Sequence, residues 1–173
     1  MKKVLLTVAA AAMLTAVSCN KNEEDEDFGV IDWSPITVSF FVVDYGQYTN
    51  FVADNYNDIV NTTTLTYQGK DYKVGQTLQK YYMPFFEGLH VDSSATKKPF
   101  FCFGELDGAH NYDDDFIISF ADGSADTVHF KRVHKGGLKV DDTWYLNGEK
   151  HSGREFILFR QRDENGKLKK LYW

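Results

Sequence analysis

Carboxylates gather around one short loop, and their number makes them the first candidates for chemistry. Glu105 and Asp107 come just before the loop, and three aspartates at 113–115 follow it. Calcium takes six to eight oxygen ligands, so Asp107, Asp113 and Asp115 form a candidate calcium site, although their spacing matches no calcium loop pattern. Glu105 and an aspartate from 113–115 could instead act as the facing pair of a glycan hydrolase. The expected cofactor is none, with calcium as the alternative.

Other enzyme signatures are missing from the sequence. There is no Gly-x-Ser-x-Gly, no phosphate-binding glycine loop and no His-Glu-x-x-His. The five histidines show no metal-ligand spacing and are expected to be solvated or locally bonded: His90, His110, His129, His134 and His151. Cys102 lies in the run Phe-Phe-Cys-Phe with no basic residue nearby, which predicts a small buried residue rather than a reactive thiol. The sequence therefore favours a protein that is not an enzyme.

Aromatic residues are a second source of candidate sites, because the chain holds 14 Phe, 10 Tyr and 3 Trp. Aromatic rings that stack on sugar faces would form a ligand platform. The candidates for it are Tyr81, Tyr82, Trp144, Tyr145 and Trp173. The alternative is that aromatic side chains at alternate strand positions fill the core, which is the expected role of the phenylalanines.

The start of the chain is typical of an exported lipoprotein. Lys2 and Lys3 precede an apolar stretch at 4–17, whose ~14 residues rise only ~21 Å as a helix and fall short of a ~30 Å membrane core. The sequence Ala-Val-Ser-Cys ending at Cys19 resembles a bacterial lipobox, in which the thiol receives diacylglycerol and cleavage precedes the cysteine. A secretory signal with an incidental cysteine is the alternative.

A tether follows Cys19, because the five consecutive acids at 23–27 repel one another and cannot be buried. An acidic run behind a lipidated cysteine resembles the export signal of Bacteroidetes surface lipoproteins. We therefore expect an outer-membrane, lipid-anchored protein at the cell surface, with a periplasm-facing position as the alternative. The expected organisation is a signal peptide at 1–18, an acidic tether at 19–29 and a single domain at 30–173.

Charge narrows the possible partners. After removal of 1–18, the 19 basic residues less Lys2 and Lys3 face 25 acidic ones, which gives a net charge of −8. Such a surface repels nucleic acid and anionic headgroups, so membrane attachment depends on the acyl chains of Cys19. With Cys19 lipidated, Cys102 has no disulfide partner.

Periodicity predicts a protein built of strands. Apolar residues alternate with others over 36–43, and turn residues separate two hairpins, at 62–74 and 116–133. Further strands are predicted at 99–105, 139–146, 155–161 and 168–173, a short helix is possible within 46–60, and 76–91 reads as irregular. Short strands about ten residues apart predict an all-β fold, an antiparallel β-sandwich of immunoglobulin-like type. A lipocalin-like β-barrel is the alternative.

The predicted domain resembles a recurrent group of Bacteroidetes lipoproteins whose role is not established. The residues that carry the likeness are Asp32-Trp33-Ser34-Pro35, the hairpin at 67–72, Phe103 through Ala109, Asp115 through Ser124, and Trp144 through Gly148. The resemblance implies a compact, mostly β lipoprotein domain and carries no catalytic residues. The chain departs from the group over 44–61, where a more polar loop is expected.

Three functions remain open at this level. The first is a non-enzymatic binding or accessory module for a glycan or protein ligand. The second is a structural subunit of an adhesive assembly joined by strand exchange at a sheet edge. The third is the small carboxylate-dependent glycan hydrolase. The motif at 126–128 also resembles the short O-glycosylation motif of exported Bacteroidetes proteins, which would make Thr127 a modification site if its side chain is exposed.

Overall fold

The computed structural model describes residues 34–46, 56–75, 84, 86–94, 97–136 and 139–171. The chain divides into two compact units, Met1–Ile31 and Asp32–Trp173, and every described residue belongs to the second. Its elements, in chain order, are β1 (Ile36–Asp44), α1 (Tyr56–Thr62), β2 (Thr64–Tyr67), β3 (Lys70–Lys73), β4 (Leu89–Ser94), β5 (Lys97–Leu106), β6 (Tyr112–Ser119), β7 (Ala125–His134), β8 (Val140–Leu146), β9 (Glu149–His151), β10 (Glu155–Arg162) and β11 (Leu168–Lys170).

The strands form two sheets. The five-stranded sheet has the order β11-β10-β1-β5-β4, and the six-stranded sheet has the order β3-β2-β6-β7-β8-β9. Two separate sheets make an all-β sandwich, which confirms the predicted class and contradicts the lipocalin-like barrel kept as its alternative. The immunoglobulin-like subtype stays a prediction.

The strand β1 occupies the centre of the five-stranded sheet. Its residues alternate between buried and half-buried along its whole length, so one side faces the core and the other the outer face. It pairs antiparallel with β5 but parallel with β10, with Ser39 opposite Glu155 and Phe41 opposite Ile157. The parallel pair departs from the purely antiparallel expectation, because strand direction between elements so distant in sequence is not encoded locally.

Phenylalanines fill the space between the sheets, as predicted, although Phe41 and Phe100 lie instead on the outer face of the five-stranded sheet. The fully buried ones are Phe40, Phe101, Phe103, Phe116, Phe130 and Phe156. The ring of Phe103 in β5 lies 4.9 Å from that of Phe116 in β6, and this contact joins the two sheets. Each such ring contributes about 1.5–3 kcal/mol by leaving water, so the aromatic core is the main source of stability.

A buried ion pair also joins the sheets. Arg160 of β10 and Asp126 of β7 are 1% and 3% exposed and form a salt bridge. Asp126 accepts further hydrogen bonds from Asn147 and Lys170, and the Arg160 guanidinium stacks 4.1 Å from the centre of the Phe120 ring. Burial alone would raise the pKa of Asp126, but the hydrogen bond from Lys170 and the charge of Arg160 outweigh it and lower that pKa.

The local elements match the sequence-based predictions in most places and depart from them in two strands. The helix α1 lies at the end of the range predicted for it, anchored by the fully buried Ile59, whose carbonyl accepts hydrogen bonds from Thr63. The rest of that predicted range, 47–55, lies outside the described residues. The strand β4 begins in a stretch read as irregular, and β9 was not predicted. None of the helices that the structure describes is long and apolar enough to cross a membrane.

Candidate functional site

A row of chemically active side chains crosses the outer face of the five-stranded sheet. In β5, Phe101 and Phe103 point into the core, so Cys102 between them points outward. Strand register places His90 of β4 opposite Cys102, Ser39 of β1 on its other side, and Glu155 of β10 beyond Ser39. Four strands therefore bring together residues that are up to 116 positions apart, counted from Ser39 to Glu155.

The row forms the floor of a cavity of about 300 Å³, which we call the acidic cavity. Its lining residues are Thr37, Ser39, Glu87, His90, Asp92, Phe100, Cys102, Gly104, Glu105, Arg154 and Glu155. Carboxylates outnumber cations among them by four to one. Gly104 is required here, because a Cβ at that position would lie 2.6 Å from the carbonyl oxygen of Ile36.

Cys102 and His90 form a neutral pair at the base of the acidic cavity. The thiol Sγ lies 2.7 Å from the imidazole Nε2. Burial raises the pKa of the Cys102 thiol to about 12, and burial also lowers the pKa of His90, with the charge of Asp92 opposing the shift. The pair is therefore a thiol that donates S–H to a neutral imidazole, not the thiolate–imidazolium pair of a cysteine nucleophile.

The second nitrogen of this imidazole has no partner among the described residues. His90 is only 8% exposed, and its Nδ1 makes no hydrogen bond to any of them. Because the protonated thiol is assigned as the donor to Nε2, we assign the hydrogen of the neutral ring to Nδ1, which is then an unused donor. Leaving a buried donor unused costs about 1–3 kcal/mol, which a ligand in the cavity could recover.

The geometry of the pair does not favour a metal ion between its two atoms. A tetrahedral zinc ion with ligands at about 2.3 Å and 2.0 Å would separate sulfur and nitrogen by about 3.5 Å. The observed 2.7 Å is well short of that separation. Within the part of the chain that the structure describes, no group of three or more His, Cys, Asp or Glu residues is arranged to hold a metal.

The carboxylates of the acidic cavity act on one another. Burial, followed by the charge of Glu105, raises the pKa of Glu87. Apart from Glu155, these carboxylates form no ion pair with any described residue. The cavity thus concentrates negative charge in a partly desolvated space, where opposite charges attract more strongly than in bulk water.

An apolar row runs beside the acidic cavity on the same outer face. Phe100, which also lines the cavity, has its ring 5.5 Å from that of Phe41. Phe41 in turn is the register partner of Ile157, whose side chain is 51% exposed. We call Phe100, Phe41 and Ile157 the apolar row. Ile157 thus extends the Phe41–Phe100 pair into one contiguous apolar strip on the outer face.

The structure separates the two described members of the predicted aromatic platform. Trp144 is a core residue, 6% exposed, with its ring stacked 3.9 Å from that of Phe130. Tyr145, the next residue along β8, faces the other side and lies beside His129. Adjacent strand residues point in opposite directions, so these two rings cannot share one platform. Tyr81, Tyr82 and Trp173 lie outside the described residues, and their part in a platform stays a prediction.

Two of the three predicted calcium ligands converge on one histidine, and the third, Asp107, has a separate partner. Asp107 accepts a hydrogen bond from the backbone of Ala109 and pairs with His110 at 2.9 Å. Asp113 and Asp115 lie on the outer face of β6 and both contact His129, at 3.4 Å and 2.8 Å. Asp113 also pairs with Lys131 at 2.8 Å, and this hydrogen bond lowers its pKa.

The predicted hydrolase pair falls on different sheets. Glu105 of β5 lines the acidic cavity, whereas the aspartates 113–115 belong to β6 of the six-stranded sheet. No residue of that run lines the cavity. The partner that the structure offers Glu105 is Glu87, which sequence reasoning missed because it lies in the stretch read as irregular. The His90–Cys102 contact was missed for the same reason, although the prediction that Cys102 is buried is confirmed.

The environment of Thr127 bears on its modification. Its side chain is half-buried, and its backbone nitrogen donates to the Asn147 side chain at 3.0 Å. The preceding residue, Asp126, is held in the buried ion pair with Arg160. An enzyme that reads this motif would therefore have to recognise a strand whose first residue points into the protein.

Comparison of the chain with known proteins found no similar protein. No family model matches the chain, and neither a curated protein nor a solved structure is similar to it at a significant level.

Proposed function

We propose that this protein is a lipid-anchored, non-enzymatic binding module whose ligand site is the acidic cavity. The observation that carries the proposal is the combination of Glu87, Asp92 and Glu105, which form no ion pair with any described residue, with the unused donor of His90 in one cavity of about 300 Å³. Concave sites with a few convergent polar groups and perturbed titratable residues are where ligands bind. A glycan or a protein is the ligand class that the sequence suggests.

The protonation states favour binding over covalent catalysis. A cysteine nucleophile acts as the thiolate, and burial raises the pKa of Cys102 to about 12, far above the range of activated thiols. His90, the neighbouring base, is held neutral by burial. The pair can orient hydrogen bonds, but it has almost no thiolate with which to attack a substrate.

A carboxylate-dependent glycan hydrolase is the second candidate, and one observation favours it. Glu87 has its pKa raised by burial and by Glu105, which is the direction that a general acid needs next to an ionised partner. Turnover of aryl glycosides by the wild type, lost in Glu87→Gln, would establish this activity in place of the binding module.

The anchor is proposed from the sequence around Cys19. Lipidation of Cys19 would hold the domain at the outer membrane by its acyl chains. The resemblance to Bacteroidetes surface lipoproteins places the domain, in this proposal, at the cell surface and not in the periplasm. The test is detergent phase partitioning of the wild type and of Cys19→Ala, followed by protease shaving of intact cells. A wild type that stays in the aqueous phase contradicts the anchor, and a domain digested only after lysis is periplasmic.

An adhesive subunit joined by strand exchange has little support from the sheet edges. The edge strands β3, β9 and β11 have four, three and three residues, and only β4 reaches six. Short edges offer few backbone groups for pairing with another chain.

Binding at the acidic cavity can be tested with one filling substitution and a matched control. Ser39→Trp places a bulky ring in the cavity, whereas Ser119→Trp makes the same change on the outer face of β6, at an equally half-buried position. The full chain in detergent is applied to glycan and protein arrays. We expect a ligand that wild type and Ser119→Trp retain and Ser39→Trp loses. A ligand bound equally by all three overturns the cavity as the site, and no ligand on any array overturns the binding module.

A further inference from the structure

We propose that the outer face of the five-stranded sheet binds an extended segment of another protein, with a lysine or arginine side chain in the acidic cavity and an apolar side chain, two residues away, on the apolar row. This inference rests on the proposed function, because it names the ligand class of the same site. It combines the charge of the cavity, the unused donor of His90 and the spacing of the two rows.

Charge selects a cation for the acidic cavity. Glu87, Asp92 and Glu105 line it without forming an ion pair to any described residue, and Arg154 is the cation among the lining residues. Burial and the charge of Glu105 make ionisation of Glu87 harder, so the charges of Glu87 and Glu105 oppose one another in the free protein. An ammonium or guanidinium group would offset this repulsion and could donate hydrogen bonds to several carboxylates at once. A neutral sugar would not offset the charge.

The imidazole supplies the second requirement. His90 is more than nine-tenths buried, lines the cavity, and keeps Nδ1 as an unused donor. A ligand that satisfies it must bring an acceptor as well as a cation. A peptide does so, because each residue carries a backbone carbonyl beside its side chain. A simple inorganic cation or an alkylamine lacks that acceptor.

Strand geometry sets the spacing between the two parts of the ligand. Cys102 and Phe100 are two residues apart on one face of β5, and Ser39 and Phe41 are two residues apart on the same face of β1. Two residues of a strand span about 6.6 Å, so the floor of the cavity and the apolar row lie about that far apart. The side chains at positions i and i+2 of an extended peptide have the same separation and the same direction.

The apolar row favours a protein over a glycan. Ile157 is an aliphatic side chain, 51% exposed, and it lies beside the Phe41 ring. Covering it with an apolar side chain stabilises a complex by about 25 cal/mol per Å² removed from water. Sugar hydroxyls gain nothing from such a contact. The observed surface, with acids and apolar groups as close neighbours, thus matches a basic–apolar sequence.

The test uses a displayed library of random linear heptapeptides, selected on the full chain in detergent. We expect enrichment of sequences in which Lys or Arg stands two positions from Leu, Ile, Val, Phe or Met. A synthetic peptide of that type is then titrated against two variants and their matched controls. Glu105→Gln removes one charge of the acidic cavity, and its control, Glu149→Gln, removes an exposed charge on β9. Ile157→Ser removes the exposed side chain of the apolar row, and its control, Val133→Ser, removes an apolar side chain on β7 that is 40% exposed.

The outcomes separate this inference from the proposed function. Support requires that Glu105→Gln and Ile157→Ser each weaken binding about tenfold, that both controls stay within twofold, and that affinity falls with added salt. Enriched peptides without the pattern, or equal affinity for all variants, overturn the inference. If no peptide is enriched but wild type binds a glycan that Ser39→Trp does not bind, the peptide inference is overturned. The proposed binding module is then still supported. No ligand in either screen overturns both.

Discussion

The reactivity of Cys102 gives the sharpest test of the chemistry assigned to the acidic cavity. Burial raises the pKa of this thiol from 9.0 to about 12, so at neutral pH the thiolate population falls about a thousandfold. A thiolate of higher pKa is intrinsically more nucleophilic, by about 20-fold over this range. The net expectation is alkylation about 50-fold slower than for an unfolded chain, before steric protection of a residue that is 3% exposed.

The assay compares alkylation of Cys102 by iodoacetamide in the folded chain and in concentrated urea, with peptide mapping to distinguish it from Cys19. The rate in the folded chain should rise about tenfold per pH unit up to about pH 10 without a plateau, because the thiol titrates near 12. A folded chain that reacts as fast as the unfolded one, or a rate that levels off near neutral pH, would show that His90 activates the thiol. The neutral pair, and with it the argument against a nucleophilic enzyme, would then be wrong.

Three further predictions concern stability and metal binding. Asp126→Asn leaves Arg160 buried without its counterion and should lower the free energy of unfolding by about 3–5 kcal/mol in urea titrations. Because folding lowers the pKa of Asp126, the wild type should keep this stabilisation above about pH 4 and lose it as the pH falls further. The variant should show no such loss. Trp144→Ala empties a stacked core position and should cost about 3–5 kcal/mol, so a loss below about 1 kcal/mol would contradict its burial. Millimolar calcium should leave the melting temperature unchanged, since Asp113 and Asp115 are engaged by His129 and Lys131; a rise of several degrees would mean that the carboxylates rearrange around an ion.

Local patterning predicted most of the fold. The hairpin of β6 and β7 was readable because apolar alternation on both strands flanks the turn at 122–124, and Ser124 bonds to Asp122 there as turn chemistry requires. The phenylalanines were assigned to the core because alternate positions of a two-layer β protein must be buried.

The acidic cavity could not be predicted in the same way. It depends on which strands are neighbours and in what register, and those pairings join segments far apart in sequence. His90 lies within β4 and Glu87 just before it, and the sequence of this strand, Leu-His-Val-Asp-Ser-Ser, alternates too weakly between apolar and polar residues to be recognised as a strand. Of the predicted calcium ligands, Asp113 and Asp115 share His129 whereas Asp107 pairs with His110, and the calcium site stays a prediction.

The central position of β1 has a mechanical consequence if the domain is tethered, as we propose, through the chain that precedes it. Because β1 is bonded to β5 on one side and runs parallel to β10 on the other, a pull on its leading end acts along the strand. The hydrogen bonds on both sides are then loaded in shear, so they must break together instead of opening one after another. A ligand dragging on the outer face would therefore meet the resistance of the whole five-stranded sheet.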